Sequence, residues 1–311
     1  MGKAEYIRGI TLGDQYPLVR QTRTIVGDAL TLLTAPAGLT AVTRVGKDYY
    51  LCGFDNKIYK LSAAGVLTVF AGSGVGSSLN GVGVAATFNY PIGIVADPSE
   101  SYLYVTEYGG QKLRRIEIST ATVTTLNSLS FLPTAPVYNA ANNSLYFGSF
   151  AGGGSGIYRF NLTTNTLVQL SSIGGSVYSL ALINKSIYYV AVNGIWKAGL
   201  DGTGSVQVAG SPVGSTGSAD GVGTAATFNT PFGILSDGGK NLFIADYTNN
   251  KIRQLNLSTL AVKTVAGSGA AANTDGFGAA AAFNGPQGLG LAADLSLIVC
   301  QSTIPQLRIV T

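Results

Sequence analysis

Histidine is missing from this 311-residue chain. That absence removes imidazole general bases, Ser-His-Asp triads and His-ligated zinc together. Charge is scarce as well: 11% of residues are Asp, Glu, Lys or Arg, less than half of the roughly 25% usual in soluble domains. The net charge of +4 is scattered, so no nucleic-acid binder is expected. Two cysteines are too few for a disulfide framework or a four-thiolate zinc site. No run approaches the roughly 18 apolar residues of a membrane span. The opening Met1-Gly2-Lys3-Ala4-Glu5 lacks the apolar stretch of a secretory signal. Membrane insertion is therefore not expected.

What is plentiful is glycine, 42 residues, within a chain that is 46% hydrophobic, and it punctuates a repeat. Leu103-Tyr-Val-Thr-Glu107 followed by Lys112-Leu-Arg-Arg-Ile116 recurs as Leu242-Phe-Ile-Ala-Asp246 followed by Lys251-Ile-Arg-Gln-Leu255. Weaker copies begin at Tyr49, Leu145, Ile187 and Leu297. Ile58, Leu113, Ile157, Ile195, Ile252 and Leu307 mark six copies, spaced 38 to 57 residues apart. Each copy reads as four β-branched and aromatic runs separated by Gly, Asn, Asp, Ser and Pro, the pattern of short strands joined by tight turns. No segment sustains a 3.6-residue apolar period. Units too small to bury their own faces must stack on one another, and radial stacking gives a propeller. The predicted fold is all-β: a six-bladed β-propeller of four-stranded antiparallel blades.

The sixth copy stops at its third strand, Leu307–Thr311. Arg23-Thr-Ile-Val-Gly27 is similar to Lys263-Thr-Val-Ala-Gly267, a fourth strand elsewhere. An N-terminal strand is thus expected to complete the last blade and fasten the ring. Residues 1–18 would form an extension, read as an anchor to a neighbouring subunit, and residues 19–311 a single domain.

The segment Asn80-Gly-Val-Gly-Val-Ala-Ala-Thr-Phe88-Asn-Tyr-Pro91-Ile-Gly93 recurs at Asp220–Gly233 and Asp275–Gly288. These motifs resemble the NHL-repeat propellers, over residues 20–311, strongly in copies two, five and six. The resemblance implies the fold but no single activity, since that family includes lyases, sensor domains, RNA binders and adhesion modules. Its lyases and lactonases rely on histidines, which this chain does not have.

Asn80, Asp220 and Asp275 do not alternate with further oxygen ligands as a calcium loop requires. They are expected to shape their loops, while Phe88, Phe228 and Phe283 plug the seams between blades. Asp97, Asp237 and Asp294 should shape the turns into second strands. Neither a metal site nor a cofactor is expected.

Aligned second strands end at Gly53, Glu107, Ser149, Ala191, Asp246 and Gln301, followed by Phe54, Tyr108, Phe150, Val192, Tyr247 and Ser302. Second-to-third and fourth-to-first loops emerge on this one side. Rings beside carboxylates suit sugars, whose C–H faces stack while hydroxyls donate; they also suit protein surfaces. The expected ligand site is thus Phe54, Glu107, Tyr108, Phe150, Asp246 and Tyr247, taking surface glycans or protein subunits of a larger assembly. A carbohydrate-active lyase or hydrolase using Glu107 and Asp246 is the enzymatic alternative. The two belong to opposite copies, whereas a glycosidase pair stands about 5 to 9.5 Å apart.

Lys57, Lys60, Lys112, Arg114, Arg115, Arg159, Lys197, Lys251, Arg253 and Arg308 fall in or beside third strands and read as solvated strand faces paired with acids. Cys52 and Cys300 occupy equivalent places in copies one and six. Equivalent side chains of successive blades point in the same rotational sense, so two free buried thiols are expected, not a disulfide. Few charges, much Gly, Ser, Thr and Tyr, and no leader fit a non-enzymatic virion component of a phage tail or capsid. The alternative is a secreted or cell-surface bacterial adhesion or sensor module, hence extracellular.

Overall fold

The computed structural model describes residues 28–150 and 154–311. Six small antiparallel sheets follow one another along the chain, each running from an inner to an outer strand. Blade one is Leu39–Val45, Asp48–Gly53, Lys57–Leu61 and Leu67–Ala71; blade two is Pro91–Ala96, Tyr102–Glu107, Lys112–Glu117 and Thr122–Ser128. Blade three is Val137–Asn139, Ser144–Gly148, Gly156–Asn161 and Thr166–Ser172; blade four is Val177–Ile183, Ser186–Ala191, Gly194–Gly199 and Val206–Ala209. Blade five is Pro231–Ser236, Asn241–Asp246, Lys251–Asn256 and Ala261–Ala266; blade six begins with Pro286–Leu291, Leu297–Gln301 and Gln306–Val310. This is the six-bladed β-propeller that the repeat implies.

The ring is closed by the N-terminal strand, though not by the segment expected. Asp28–Thr34 pairs antiparallel with Gln306–Val310, with Leu30 opposite Ile309 and Thr31 opposite Arg308. In blade five Thr264 stands opposite Arg253, so Thr31 fills the place of Thr264. Arg23–Gly27, chosen for its likeness to Lys263–Gly267, lies outside the described residues, as does the 1–18 extension.

Six clusters of buried side chains fill the six seams. Leu39, Leu51 and Tyr59 of blade one meet Ile298, Cys300 and Ile309 of blade six, so the closing seam is packed like the others. Second strands are covered on both faces, which is why they read as unbroken apolar runs: Tyr49–Cys52, Leu103–Val105 and Leu242–Ala245 are all buried. Cys52 packs in the seam toward blade two and Cys300 in the seam toward blade one. Both are free and buried, and burial pushes both thiols above the ordinary cysteine range. Neither is expected to react with a water-soluble disulfide reagent in the folded protein, and both should react once denaturant unfolds it. A thiol titrating at once under native conditions would show an open seam.

Three fourth-to-first connections are long, and each repeats one design. The connection entering blade two lays Gly81–Val82 on the outer edge of that blade; Gly221–Val222 and Gly276–Phe277 do the same for blades five and six. A single 3₁₀ turn follows in each, starting at Gly83, Gly223 and Gly278. These glycines have φ of 53°, 57° and 54°, a left-handed conformation that a Cβ disfavours. Among the described residues no helix is long and apolar enough to cross a membrane.

Candidate functional site

The long connections are pinned by three arginines that the sequence reading placed in solvent. Arg114, Arg253 and Arg308 have no exposed surface; they lie beneath the loops, not on a solvated strand face. Arg253 donates to the Thr227 carbonyl at 3.1 Å and the Ala219 carbonyl at 2.8 Å, and pairs with Asp220 at 2.9 Å and Asp246 at 2.7 Å. Arg114 repeats this with the Thr87 carbonyl at 3.2 Å, the Leu79 carbonyl at 2.9 Å, Asn80 at 3.2 Å, and Glu107. Arg308 takes the Ala282 carbonyl at 2.9 Å, the Thr274 carbonyl at 3.0 Å and Asp275 at 3.2 Å. Each guanidinium also lies over the loop phenylalanine: Phe88 at 5.3 Å, Phe228 at 5.1 Å and Phe283 at 5.1 Å from the ring centroids. Those phenylalanines are buried in the seams of blades one and two, four and five, and five and six. The loop residues Asn80, Asp220 and Asp275 thus hold loop to blade.

This arrangement moves Glu107 and Asp246 out of the expected ligand surface. Both are fully buried and face an arginine of their own blade, because each second-strand end needs a partner for the charge on the third strand. Burial pushes both carboxyls above the usual range, with the guanidinium and, for Glu107, Ser78 pulling the other way. In blade six the same place is Gln301, which accepts from the Asn284 N–H at 2.7 Å and donates to Asn273 at 3.0 Å. Asp97, Asp237 and Asp294 accept backbone N–H bonds in the turns that follow the first strands.

The aromatic residues, by contrast, come together. Phe54, Tyr108, Phe150 and Tyr247 join Tyr90, Tyr178 and Phe232 in an unbroken chain of seven rings around one mouth of the central channel. Centroid separations run Phe54–Tyr90 5.1 Å, Tyr90–Tyr108 5.4 Å and Tyr108–Phe150 5.0 Å. They continue Phe150–Tyr178 5.4 Å, Tyr178–Phe232 5.2 Å and Phe232–Tyr247 6.1 Å. All seven are half-buried. The three members that the second-strand alignment missed come from other places: Tyr90 ends a long connection, while Tyr178 and Phe232 are second residues of inner strands. Only the circular packing of blades interleaves them.

Local backbone chemistry aims these rings. Tyr90 has φ 55°, a conformation costly for a bulky residue, and its N–H is held by the Asn56 side chain at 2.8 Å. The corresponding clamps are Asn193 on the Thr230 N–H at 2.9 Å and Asn250 on the Gly285 N–H at 3.0 Å. At Tyr90 the strained conformation carries a ring; at Gly285 it carries none. The Tyr90 hydroxyl is pushed above its ordinary range by burial and then by the nearby Tyr108 and Tyr247 hydroxyls. Tyr90 and Tyr247 belong to opposite blades and both stand at this mouth. The ring opens only at blade six, where Gly38, Ser302 and Thr303 stand between Tyr247 and Phe54; the Tyr247 and Thr303 hydroxyls are 3.5 Å apart.

The opposite mouth is different in character. Inner-strand ends from blades one to five, including Thr43, Val95, Val137, Leu182 and Ile234, line a cavity of about 430 Å³ bordered by Arg44, Asp97 and Glu100. The acids there already serve the fold: Asp97 caps its turn, and Glu100 accepts from the Gly46 N–H at 2.9 Å.

No protein-family model and no curated protein sequence matches the chain. Solved structures do. It is similar to an auxiliary nutrient binding protein from Bacteroides thetaiotaomicron, with 18% identity and TM-score 0.71, covering 89% of this chain and 69% of that one. A second auxiliary nutrient binding protein, from Bacteroides ovatus, has 14% identity and TM-score 0.70, covering 97% and 75%. A gluconolactonase from Xanthomonas campestris has 11% identity and TM-score 0.64, covering 90% and 88%. Binding proteins and an enzyme thus share this architecture, and at these identities the likeness extends to the six-bladed propeller and no further.

Proposed function

We propose that the chain is a non-enzymatic binding propeller whose aromatic mouth takes a saccharide. One observation carries this reading: seven half-buried rings in contact line a single channel mouth, while Glu107 and Asp246 beside them are turned inward onto arginines. Rings offer stacking faces to sugar C–H surfaces, and the phenols of Tyr90, Tyr108 and Tyr247, with Ser302 and Thr303, offer donors and acceptors to hydroxyls. The nutrient-binding neighbours are in keeping with a ligand-holding role. A glycosidase or lyase built on Glu107 and Asp246 is disfavoured, since each is buried against its own guanidinium and sits on an opposite blade. The low charge and the richness in Gly, Ser, Thr and Tyr support display outside a cell, and on a virion in particular, with the mouth facing outward.

Replacing both Tyr108 and Tyr247 by Ala should weaken saccharide binding at least tenfold while leaving the melting temperature within a few degrees. Titration calorimetry against an oligosaccharide panel reads this directly. Unchanged affinity in the double variant would move the site elsewhere on the molecule.

A further inference from the structure

Building on the reading of the aromatic mouth as a saccharide site, we infer that its ligand is acidic, a saccharide carrying carboxylate or sulfate groups, held at its edges by Lys112 and Lys251. Among the described residues the carboxylates on this side of the propeller are already matched by cations. Glu107 pairs with Arg114, Asp246 and Asp220 with Arg253, Asp275 with Arg308, and Asp55 with Lys57 at 2.9 Å. Two ammonium groups have no carboxylate in direct contact, although Lys112 still acts on Glu107 through space. Lys112 donates to the Ser78 carbonyl at 3.3 Å and Lys251 to the Ser218 hydroxyl at 3.2 Å, both neutral oxygens, and among the described residues neither lysine forms a salt bridge.

Their positions are equivalent and functional in geometry. Lys112 stands opposite Glu107, and Lys251 opposite Asp246, in the hairpins whose turns begin with Tyr108 and Tyr247. Blades two and five face each other across the ring, so the two cations stand on opposite sides of this face, each beside its long connection. The far side is mixed in charge, since Asp48, Asp97, Glu100, Asp237 and Asp294 share the first-to-second-strand turns with Arg44, Lys47, Lys185 and Lys240. Any pull on an anion at the aromatic mouth therefore comes from the two lysines locally. Stacking on rings favours a sugar chain over an acidic peptide as the bearer of the charge.

The test pairs an oligogalacturonate with its methyl ester, which differ in charge at constant stereochemistry, within a panel of neutral, sialylated and sulfated oligosaccharides. The tightest binders should be acidic, should weaken as salt rises, and should lose about tenfold in affinity to the Lys112→Gln/Lys251→Gln protein, whose melting temperature should match that of the wild type. A neutral saccharide binding as tightly as any acidic one, or full affinity in the Gln variant, would overturn the inference while leaving the mouth a saccharide site. Failure of every saccharide, or displacement only by poly-glutamate, would overturn both.

Discussion

Replacing Arg253 by Met should remove about 3–5 kcal/mol of stability, the usual consequence of stranding one member of a buried ion pair. Arg253 is fully buried and answers four oxygens, those of Asp246, Asp220, Ala219 and Thr227. Without it Asp246 keeps only the Asn249 side chain at 2.8 Å and the Asn229 N–H at 2.9 Å, in a place water does not reach. The connection from Gly210 to Thr230 loses its tie to blade five at the same stroke, so limited proteolysis should cut there first. Adding Asp246→Leu should recover part of the loss, because removing both charges abolishes the stranded carboxylate while the Ala219 and Thr227 carbonyls still lack a donor. Denaturant unfolding of the wild type and three variants forms the cycle. If the double variant were as weak as Arg253→Met alone, buried charge would not be the source of the loss.

Gly233→Ala should be nearly as damaging, at about 3 kcal/mol, the upper end of the range for overpacking because the obstruction is backbone. Gly233 lies in the inner strand of blade five, and a Cβ there would overlap the Gln287 carbonyl oxygen of blade six. Gly93 meets Ala135 and Gly288 meets the Thr40 carbonyl in the same way. These contacts form the tightest circle of the propeller, and a closed circle cannot shift one strand without displacing the others. Gly174, with nothing within 4 Å of its virtual Cβ, is the control: Gly174→Ala should melt like the wild type. Equal melting of Gly233→Ala and Gly174→Ala would mean that the inner strands stand further apart than described.

Blade number and strand order were readable because each third strand carries one marker, from Ile58 to Leu307, and each second strand is apolar on both faces. The closing strand was assigned too early in the chain. Arg23–Gly27 looks like its counterparts, whereas Asp28–Thr34 is leucine-rich and is identified only by its pairing with Gln306–Val310. Local likeness ranks strands by propensity; partner and register decide which one is used.

The inward turn of Glu107 and Asp246 was also present in the sequence, spread over three positions. Where the third strand holds Arg114, Arg253 or Arg308, the second strand ends in Glu, Asp or Gln and the preceding connection is long. Where it holds Tyr59, Tyr158 or Trp196, the second strand ends in Gly, Ser or Ala and the connection is short. In those blades the aromatic donor bonds within its own hairpin or adjoining turn, Tyr59 to Asp55 at 2.6 Å, Tyr158 to the Gly154 carbonyl at 2.6 Å and Trp196 to the Ala191 carbonyl at 3.0 Å. Reading each position alone made the acids look solvent-facing; reading the three together pairs them with arginine. The rings of Tyr90, Tyr178 and Phe232 were hidden for another reason, since nothing along a linear chain brings them beside Phe54, Tyr108, Phe150 and Tyr247.

The union of Asp28–Thr34 with Gln306–Val310 also sets a timetable for synthesis. One partner is made first and must wait, unpaired, while the ribosome adds roughly 270 further residues; contacts of such long sequence separation form late. Five blades can assemble in turn behind it, yet the circle stays a crescent until translation has passed Val310. During that interval the waiting strand is an open template, and the hazard to the nascent chain is capture of the Leu297–Val310 hairpin of another copy.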